Sequence, residues 1–446
     1  MSVITLQLGQ CGNQVGGQFF TSIMDDLHAP LTAINMSKQA NNDYIQESQE
    51  TFFCEQKNSS VPEARAVMVD METKAISQTV TEAKRTGRWV YPERQQLHQK
   101  RGSGNNWAHG FCLHGPVVRE AVLDMVQREA EKCDRLGGFL SLLSLAGGTG
   151  SGVGAYVSEM LREEFPQAFM VNQVVWPYRT GEVIVQNYNA VLTLSHLYQT
   201  ADAIVVMEND ELHKICSQLL SIKRIAFRDI NRVICHKLTS FLQPAQPVET
   251  RTGYGKELGS KLQLLVPHPD HKLLTIRNIP QVSDRAMEFS TFQWTGLLKH
   301  LRQMLIASAP MEEGINWQVK VEETPRGSSR HNRSLAASLV LRGKDVQSAD
   351  PSIFRDPSLY SSWTSADIGL SVSTQPRSFC GYEKCAALIS NSRSVVQPLD
   401  HILEKAWNMF ASRAYVHQYV KHGMSEEDFL DAFVTLEQVV SSYKSL

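Results

Sequence analysis

The chain has 446 residues, of which 42% are apolar and 20% charged. That is too apolar for a disordered chain and long enough for roughly three domains or subdomains. Lys+Arg numbers 44 against 46 Asp+Glu, a net charge of −2, which offers no strong field to nucleic acid and no polybasic stripe to a membrane surface.

Ser2–Leu8 reads as a short strand, with Val3, Ile4, Leu6 and Leu8 supplying apolar and β-branched character. Val15, Phe19, Ile23 and Leu27 then fall on one helical face. Residues 66–69 form a second buried strand ending at Asp70-Met71-Glu72, and 117–131 has helical spacing. Residues 139–145 read as a buried parallel strand that runs into Ala146-Gly147-Gly148-Thr149-Gly150-Ser151-Gly152, followed by a helix over 153–164. Residues 169–175 and 203–207 are two more strands. Strands separated by helices predict a parallel sheet covered on both faces.

Near residue 210 the pattern changes. A long helix is expected over 229–242, then a loop rich in Pro, Gly and Thr over 243–256. Mixed strands and helices follow, including a helix over 292–306 and a polar loop over 323–334 with Arg326, Arg330 and Arg333, which reads as solvated. The chain ends in a helical hairpin. Leu399, Ile402, Leu403, Ala406, Phe410 and Ala414 mark one apolar stripe. Gly423 stops that helix, Ser425 and Asp428 have capping-box spacing, and Phe429, Phe433, Leu436 and Val440 line the second helix. No run of about 18 apolar residues predicts a membrane span, and no basic segment with an apolar run at the N-terminus predicts a secretory signal. The eight cysteines form no CxxC pair, so their scatter fits a reducing compartment better than a zinc ribbon or a thioredoxin-like site.

The strongest chemical signal is Ala146–Gly152 between a strand and a helix. Glycines let backbone N–H groups approach an anion, the helix N-terminus adds positive partial charge, and Thr149 and Ser151 add hydroxyls. The pattern fits a diphosphate or triphosphate cradle; a tight turn without a ligand is the alternative. No lysine follows the glycines, so it is not a P-loop. The formal dinucleotide match Gly150-x-Gly152-x-x-Ala155 does not follow the first strand. Ligands of open parallel sheets bind at the carboxyl ends of strands, where Gly9-Gln10-Cys11-Gly12, Asp70-Met71-Glu72 and Glu208-Asn209-Asp210 also fall, joined by the loop Gly102-Ser103-Gly104-Asn105-Asn106. Asp70 and Glu72 suit a magnesium held through water. No GxSxG, HExxH or Cys–His signature supports nucleophilic catalysis. Cys11 near a helix N-terminus is better read as packing than as a reactive thiol.

Gly9-Gln10-Cys11-Gly12-Asn13-Gln14, Gly104-Asn105-Asn106-Trp107-Ala108 and Gly147–Gly152, in that order and spacing, resemble the tubulin superfamily over essentially the whole chain. Within it the delta subfamily is the most similar, on Trp176-Pro177-Tyr178, residues 181–189, Val266-Pro267-His268-Pro269, residues 343–350 and residues 405–410. The resemblance implies a tubulin-like α/β fold. A parallel-sheet GTP-binding domain would span 1–210, a mixed α/β intermediate domain with the central helix 211–380, and a C-terminal helical layer 381–446. It implies GTP or GDP with Mg2+. Gln10, Cys11, Asn105, Ser144, Ala146, Gly147, Gly148, Thr149, Gly150, Ser151 and Gly152 would lie about the phosphates. Asp70 and Glu72 would face the metal. Glu182 and Gln186 would lie near the ribose, Asn209 and Asn231 would bond the guanine, and Phe227 would stack on it.

The departures from the family pattern carry information. Ala146 stands where a longer glycine run is usual, Gln186 replaces a ribose-contacting glutamate, and Phe227 replaces a tyrosine. In the loop that would cover a neighbour's nucleotide, Ser260 occupies the position of a hydrolysis-promoting glutamate counted back from Val266, and Glu257, where the family commonly has an aspartate, is the alternative for that role. A serine is no general base near neutral pH without an activating partner. The chain stops at Tyr443-Lys444-Ser445-Leu446 without a long acidic extension. The resemblance therefore implies a specialised tubulin of centrioles and basal bodies. It would act structurally in triplet microtubules and cilia, with at most weak GTP hydrolysis. Its partners would be other tubulins, epsilon-tubulin above all, and centriolar proteins, with no nucleic acid and no membrane. A polymerising GTPase of ordinary cytoplasmic microtubules is the alternative. A dinucleotide-dependent metabolic enzyme lacks a ribose-binding acid and substrate groups around the glycine loop.

Overall fold

Continuous apolar runs become the buried strands of a parallel sheet. In β1 (Ser2–Leu8) all seven residues are buried, and Gln7 is accommodated by a 2.9 Å hydrogen bond from its Nε2 to the Tyr91 hydroxyl. The computed structural model describes residues 1–29, 36–56, 59–181, 183–248, 257–287, 289–321, 331–364 and 369–446. The chain divides into two compact units. The first holds Met1–Thr21, Gln49–Asp210 and Val396–Ser442; the second holds Ser22–Ser48, Glu211–Val395 and Tyr443–Leu446.

In the first unit, β2 (Phe53–Gln56) and β3 (Ser59–Ala64) form an antiparallel pair. The main sheet adds β4 (Ala66–Asp70), β5 (Gln96–His98), β6 (Leu136–Ser144), β7 (Met170–Trp176) and β8 (Ala203–Glu208) to β1, in the spatial order β5-β4-β1-β6-β7-β8, every neighbouring pair parallel. Order therefore reverses at β1, which has β4 on one side and β6 on the other. That reversal opens a crevice at the carboxyl ends of β1 and β6. The helices Gly115–Ala130, Gly154–Glu164, Gln186–Thr200 and Val396–Ala411 pack in succession. The capping box read from the sequence forms: Ser425 N donates to Asp428 Oδ2 at 2.7 Å and Asp428 N to Ser425 Oγ at 3.2 Å, starting the helix Glu426–Lys444.

The second unit carries β9 (Gln246–Pro247), β10 (Leu273–Ile279), β11 (Ser334–Gly343), β12 (Leu370–Gln375) and β13 (Lys384–Ser392) in the order β10-β13-β11-β12-β9, mixed in direction. Residues 381–395 thus differ from the helical layer expected from 381. Most of them form a fully buried strand between β10 and β11, and the terminal helices begin at Val396. Leu297, Leu301, Met304 and Leu305 of the helix Trp294–Ile306 pack with Leu339, Leu341, Phe354 and Leu388 in one core. A buried charged pair ties the unit's early segment to its end. Arg377 Nη1 donates to Asp26 Oδ2 at 2.8 Å, Arg377 Nε to Asn41 Oδ1 at 3.0 Å, and the Tyr44 hydroxyl to Asp26 Oδ2 at 2.8 Å. Among the described residues no helix is long and apolar enough to cross a membrane, and all eight cysteines are free.

Candidate functional site

The crevice is built where three backbone segments crowd together. Gly9 ends β1 at φ 71°, and a Cβ there would lie 2.7 Å from Gly150 N. A Cβ at Gly148 would lie 2.7 Å from Asn106 N, and one at Gly152 only 2.3 Å from Trp107 O. These glycines are needed because backbone meets backbone, a stronger reason than flexibility. Gly147 is the exception, since a Cβ there meets only Asn105 Oδ1, at 3.7 Å. Asn105 itself adopts φ 55°, a left-handed value that asparagine tolerates better than most residues.

Side chains then fix the loops. Asn13 Nδ2 donates to Gly9 O at 2.8 Å. The hydroxyls of Ser103 and Thr149 are 3.1 Å apart, joining the loop before the helix Gly115–Ala130 to the glycine run. Ser151 Oγ donates to Gly147 O, and Ala146 N to Ser144 Oγ at 3.3 Å. Asn189, at the start of the helix Gln186–Thr200, donates from Nδ2 to Asn105 O and Ala146 O, both at 2.8 Å. Its Oδ1 accepts from Trp107 N at 3.0 Å and from the Tyr419 hydroxyl at 2.7 Å.

At the end of β4, Asp70 is buried. Its Oδ1 accepts from Glu72 N at 3.3 Å, while its Oδ2 is buried without a partner. Burial pushes the Asp70 carboxyl up to about 6. A desolvated carboxylate oxygen with no hydrogen bond is the kind of group that a cation satisfies. Among the described residues, no group of three or more His, Cys, Asp or Glu is arranged to hold a metal by itself. Cys11 is partly exposed, and desolvation pushes its thiol up to about 12, so it is a packing group at neutral pH rather than a nucleophile.

The structure brings Cys11, Asn105 and Ser144 through Gly152 into the first unit together with Gln10, Asp70, Glu72, Gln186 and Asn209. Gln10, Glu72 and Asn105 are exposed. Gln186 is buried, and its Nε2 donates to Tyr178 O at 2.6 Å. Its amide is thus already committed to the loop after β7. Asn209 opens the short helix Asn209–Lys214, where the neighbouring Asp210 Oδ2 accepts from Arg179 N at 2.9 Å. Phe227 and Asn231 lie one turn apart in the second unit, on the helix Phe227–Leu242, which is started by Asp229 accepting from Ala226 N at 2.9 Å. Phe227 is 64% exposed and Asn231 is buried. Glu257 stands at the N-cap position of the helix Leu258–Leu265, which contains Ser260, without a side-chain capping bond. Glu182, together with Arg326 and Arg330, lies outside the described residues. No local motif marks Asn189 as a site residue. Its only signal in the sequence is its place in the recognisable stretch 181–189.

A family model described as the GTPase domain of the Tubulin/FtsZ family matches residues 2–217. Over the whole of both chains, the sequence is 52% identical to a tubulin delta chain of Mus musculus, 51% to one of Canis lupus familiaris and 49% to one of Homo sapiens.

Proposed function

The chain belongs to the tubulin family, and from that premise we propose that it is a specialised tubulin that holds guanine nucleotide as a structural group and acts at centrioles and basal bodies. The observation that carries this reading is full-length identity of about half to proteins named tubulin delta chain. A tubulin GTPase domain is a GTP-binding fold, and the crevice at the β1/β6 reversal supplies residues of the right kind. Gln10, Cys11, Asn105 and Ser144 through Gly152 surround the phosphates. Asp70, whose Oδ2 is buried without a partner, and Glu72 would hold magnesium, which would neutralise phosphate charge. Asn209 and Asn231 bond the base edge with amide groups, and Phe227 covers its face. Glu182 and Gln186 serve the ribose side, with the Gln186 amide held by Tyr178.

Ser260 stands in the helix Leu258–Leu265 where a general base would be needed to activate water on a neighbour's nucleotide, and a serine hydroxyl does not meet that need. The protein therefore associates with other tubulins, epsilon-tubulin above all, and with centriolar proteins, and hydrolyses GTP slowly in such contacts. The first test is native purification followed by identification of the nucleotide released on denaturation. One GTP per chain is expected. An excess of GDP, or a Ser260→Glu variant that leaves turnover in mixed assembly unchanged, favours the polymerising-GTPase alternative. Tagged protein is expected at centrioles and basal bodies; uniform decoration of cytoplasmic microtubules overturns the location.

A further inference from the structure

We propose that Asn189 is the positioning residue of the nucleotide crevice, and that Tyr419 of the C-terminal hairpin holds its amide in the working orientation. The proposal rests on the nucleotide reading above and goes beyond it, because neither residue is among the ligands assigned there.

A primary amide has two N–H donors and an oxygen with two acceptor positions. At Asn189 all four are used within the first unit: Nδ2 to Asn105 O and Ala146 O at 2.8 Å each, Oδ1 from Trp107 N at 3.0 Å and from the Tyr419 hydroxyl at 2.7 Å. The side chain is fully buried, so no water substitutes for a lost partner. The partners also decide which end is which. Two carbonyls can only accept and a peptide N–H can only donate, so a flipped amide would face like against like at three of four contacts. One side chain therefore sets the separation of two backbone segments: the Asn105 loop and the start of the glycine run. The hydroxyl pair Ser103–Thr149 is a further direct side-chain link between them.

Tyr419 connects this amide to the hairpin. It sits in the helix Val416–Val420, its ring packed against Tyr188 and Phe429 with centroids 5.5 and 5.2 Å away. The same hairpin segment also touches the Asn105 loop and the turn that follows it. Asn106 Nδ2 donates to Gln418 O at 3.4 Å, and the His109 and His422 rings stack at 4.6 Å. The segment 416–422 is thus a back wall to the phosphate loops. By linkage, any ligand that favours the seated hairpin also favours the loop arrangement, and the reverse holds equally.

The test uses the full chain with Asn189→Asp, Tyr419→Phe and Tyr188→Phe. It reads GTP affinity in magnesium buffer and amide hydrogen exchange over residues 103–107 and 146–152. Tyr188→Phe is the control: its hydroxyl donates to Ala414 O in the same hairpin at 3.0 Å and does not touch Asn189. Asn189→Asp sets a carboxylate against two carbonyl oxygens and is expected to weaken GTP by roughly 30–100-fold at pH 8. Relative to the parent, that deficit shrinks towards pH 5.5, where a protonated acid regains one donor. Tyr419→Phe is expected to weaken GTP by about 5-fold and to speed exchange in both loops; Tyr188→Phe changes neither. A pH-independent deficit in Asn189→Asp, or equal effects of Tyr188→Phe and Tyr419→Phe, overturns the proposal in favour of general destabilisation. Should Asn189→Asp fail to fold, the tyrosine pair alone decides. If the parent binds GTP and Tyr419→Phe behaves like it, the positioning role falls and the nucleotide reading stands. If the parent binds no guanine nucleotide while Tyr419→Phe still loosens both loops, the nucleotide reading falls and the positioning role stands.

Discussion

Asn189 and Arg377 each gather distant stretches of chain through buried hydrogen bonds, one with a neutral amide and the other with a charge. The amide has every donor and acceptor position filled and leaves no desolvated remainder. The ion pair is less complete. Arg377 and Asp26 are 1% exposed at the side chain, yet Asp26 Oδ1 has no partner. The difference separates two kinds of dependence. Losing part of a neutral hub mainly changes where its loops lie, whereas losing half of a buried pair strands a charge where water cannot reach it.

The hardest way to break the comparison is at the charged hub. Arg377→Ala is expected to cost about 3–5 kcal/mol in urea unfolding. The paired change Asp26→Asn with Arg377→Met should recover most of that loss; equal losses in the single and double variants would show that packing rather than charge sets the value. A second buried group in the same unit sharpens the point through pH. His236 accepts on Nδ1 from Asn278 Nδ2 at 2.6 Å, its Nε2 has no partner, and burial together with Lys237 and Arg232 pushes it down to about 4. The unfolded chain takes up its proton near 6.5, which the folded imidazole refuses until about 4. Stability is therefore intact above 6.5 and falls as pH drops towards 4, by up to about 3 kcal/mol. His236→Phe should flatten that part of the urea-midpoint profile.

In the first unit the contrast lies within one loop. Gly152→Ala forces a Cβ to within 2.3 Å of a backbone carbonyl and is expected to cost about 1–3 kcal/mol with loss of bound nucleotide. Gly147→Ala, which meets only a side-chain oxygen at 3.7 Å, should stay within about 0.5 kcal/mol of the parent and lower only nucleotide occupancy. The smallest effect is expected at the exposed ring. Phe227→Ala should leave unfolding within about 0.5 kcal/mol and weaken GTP and ATP alike in competition binding, because a stacked ring covers the base face without reading its edge.

What the sequence made legible follows from burial. β1, β6, β7 and β8 are parallel strands covered on both faces, so each appears as a continuous apolar run. β13 was missed because Lys384, Ser390, Asn391 and Ser392 interrupt its apolar character, and the strands that bury it lie far away in sequence. The glycine run was legible because its chemistry is local. Asn189 was not, because a buried amide acquires its role only from partners 43 to 230 residues away. The Gln186–Tyr178 bond was equally hidden: the substitution was visible, but the partner that occupies its amide was not.

The separation between Asp26 and Arg377 has a consequence for how the protein is made. Their contact spans 351 residues, and the first unit takes its last helices from beyond residue 395. At about 5–20 residues per second, a ribosome needs on the order of 20–70 s to deliver the second partner after the first. Through that interval the N-terminal strand and the segment around Asp26 have emerged, but neither unit can close. The first unit can assemble its sheet early, since β1 and β4 to β8 all lie within residues 2–208, but its terminal helices and the second unit's Asp26–Arg377 contact form only when synthesis is almost complete.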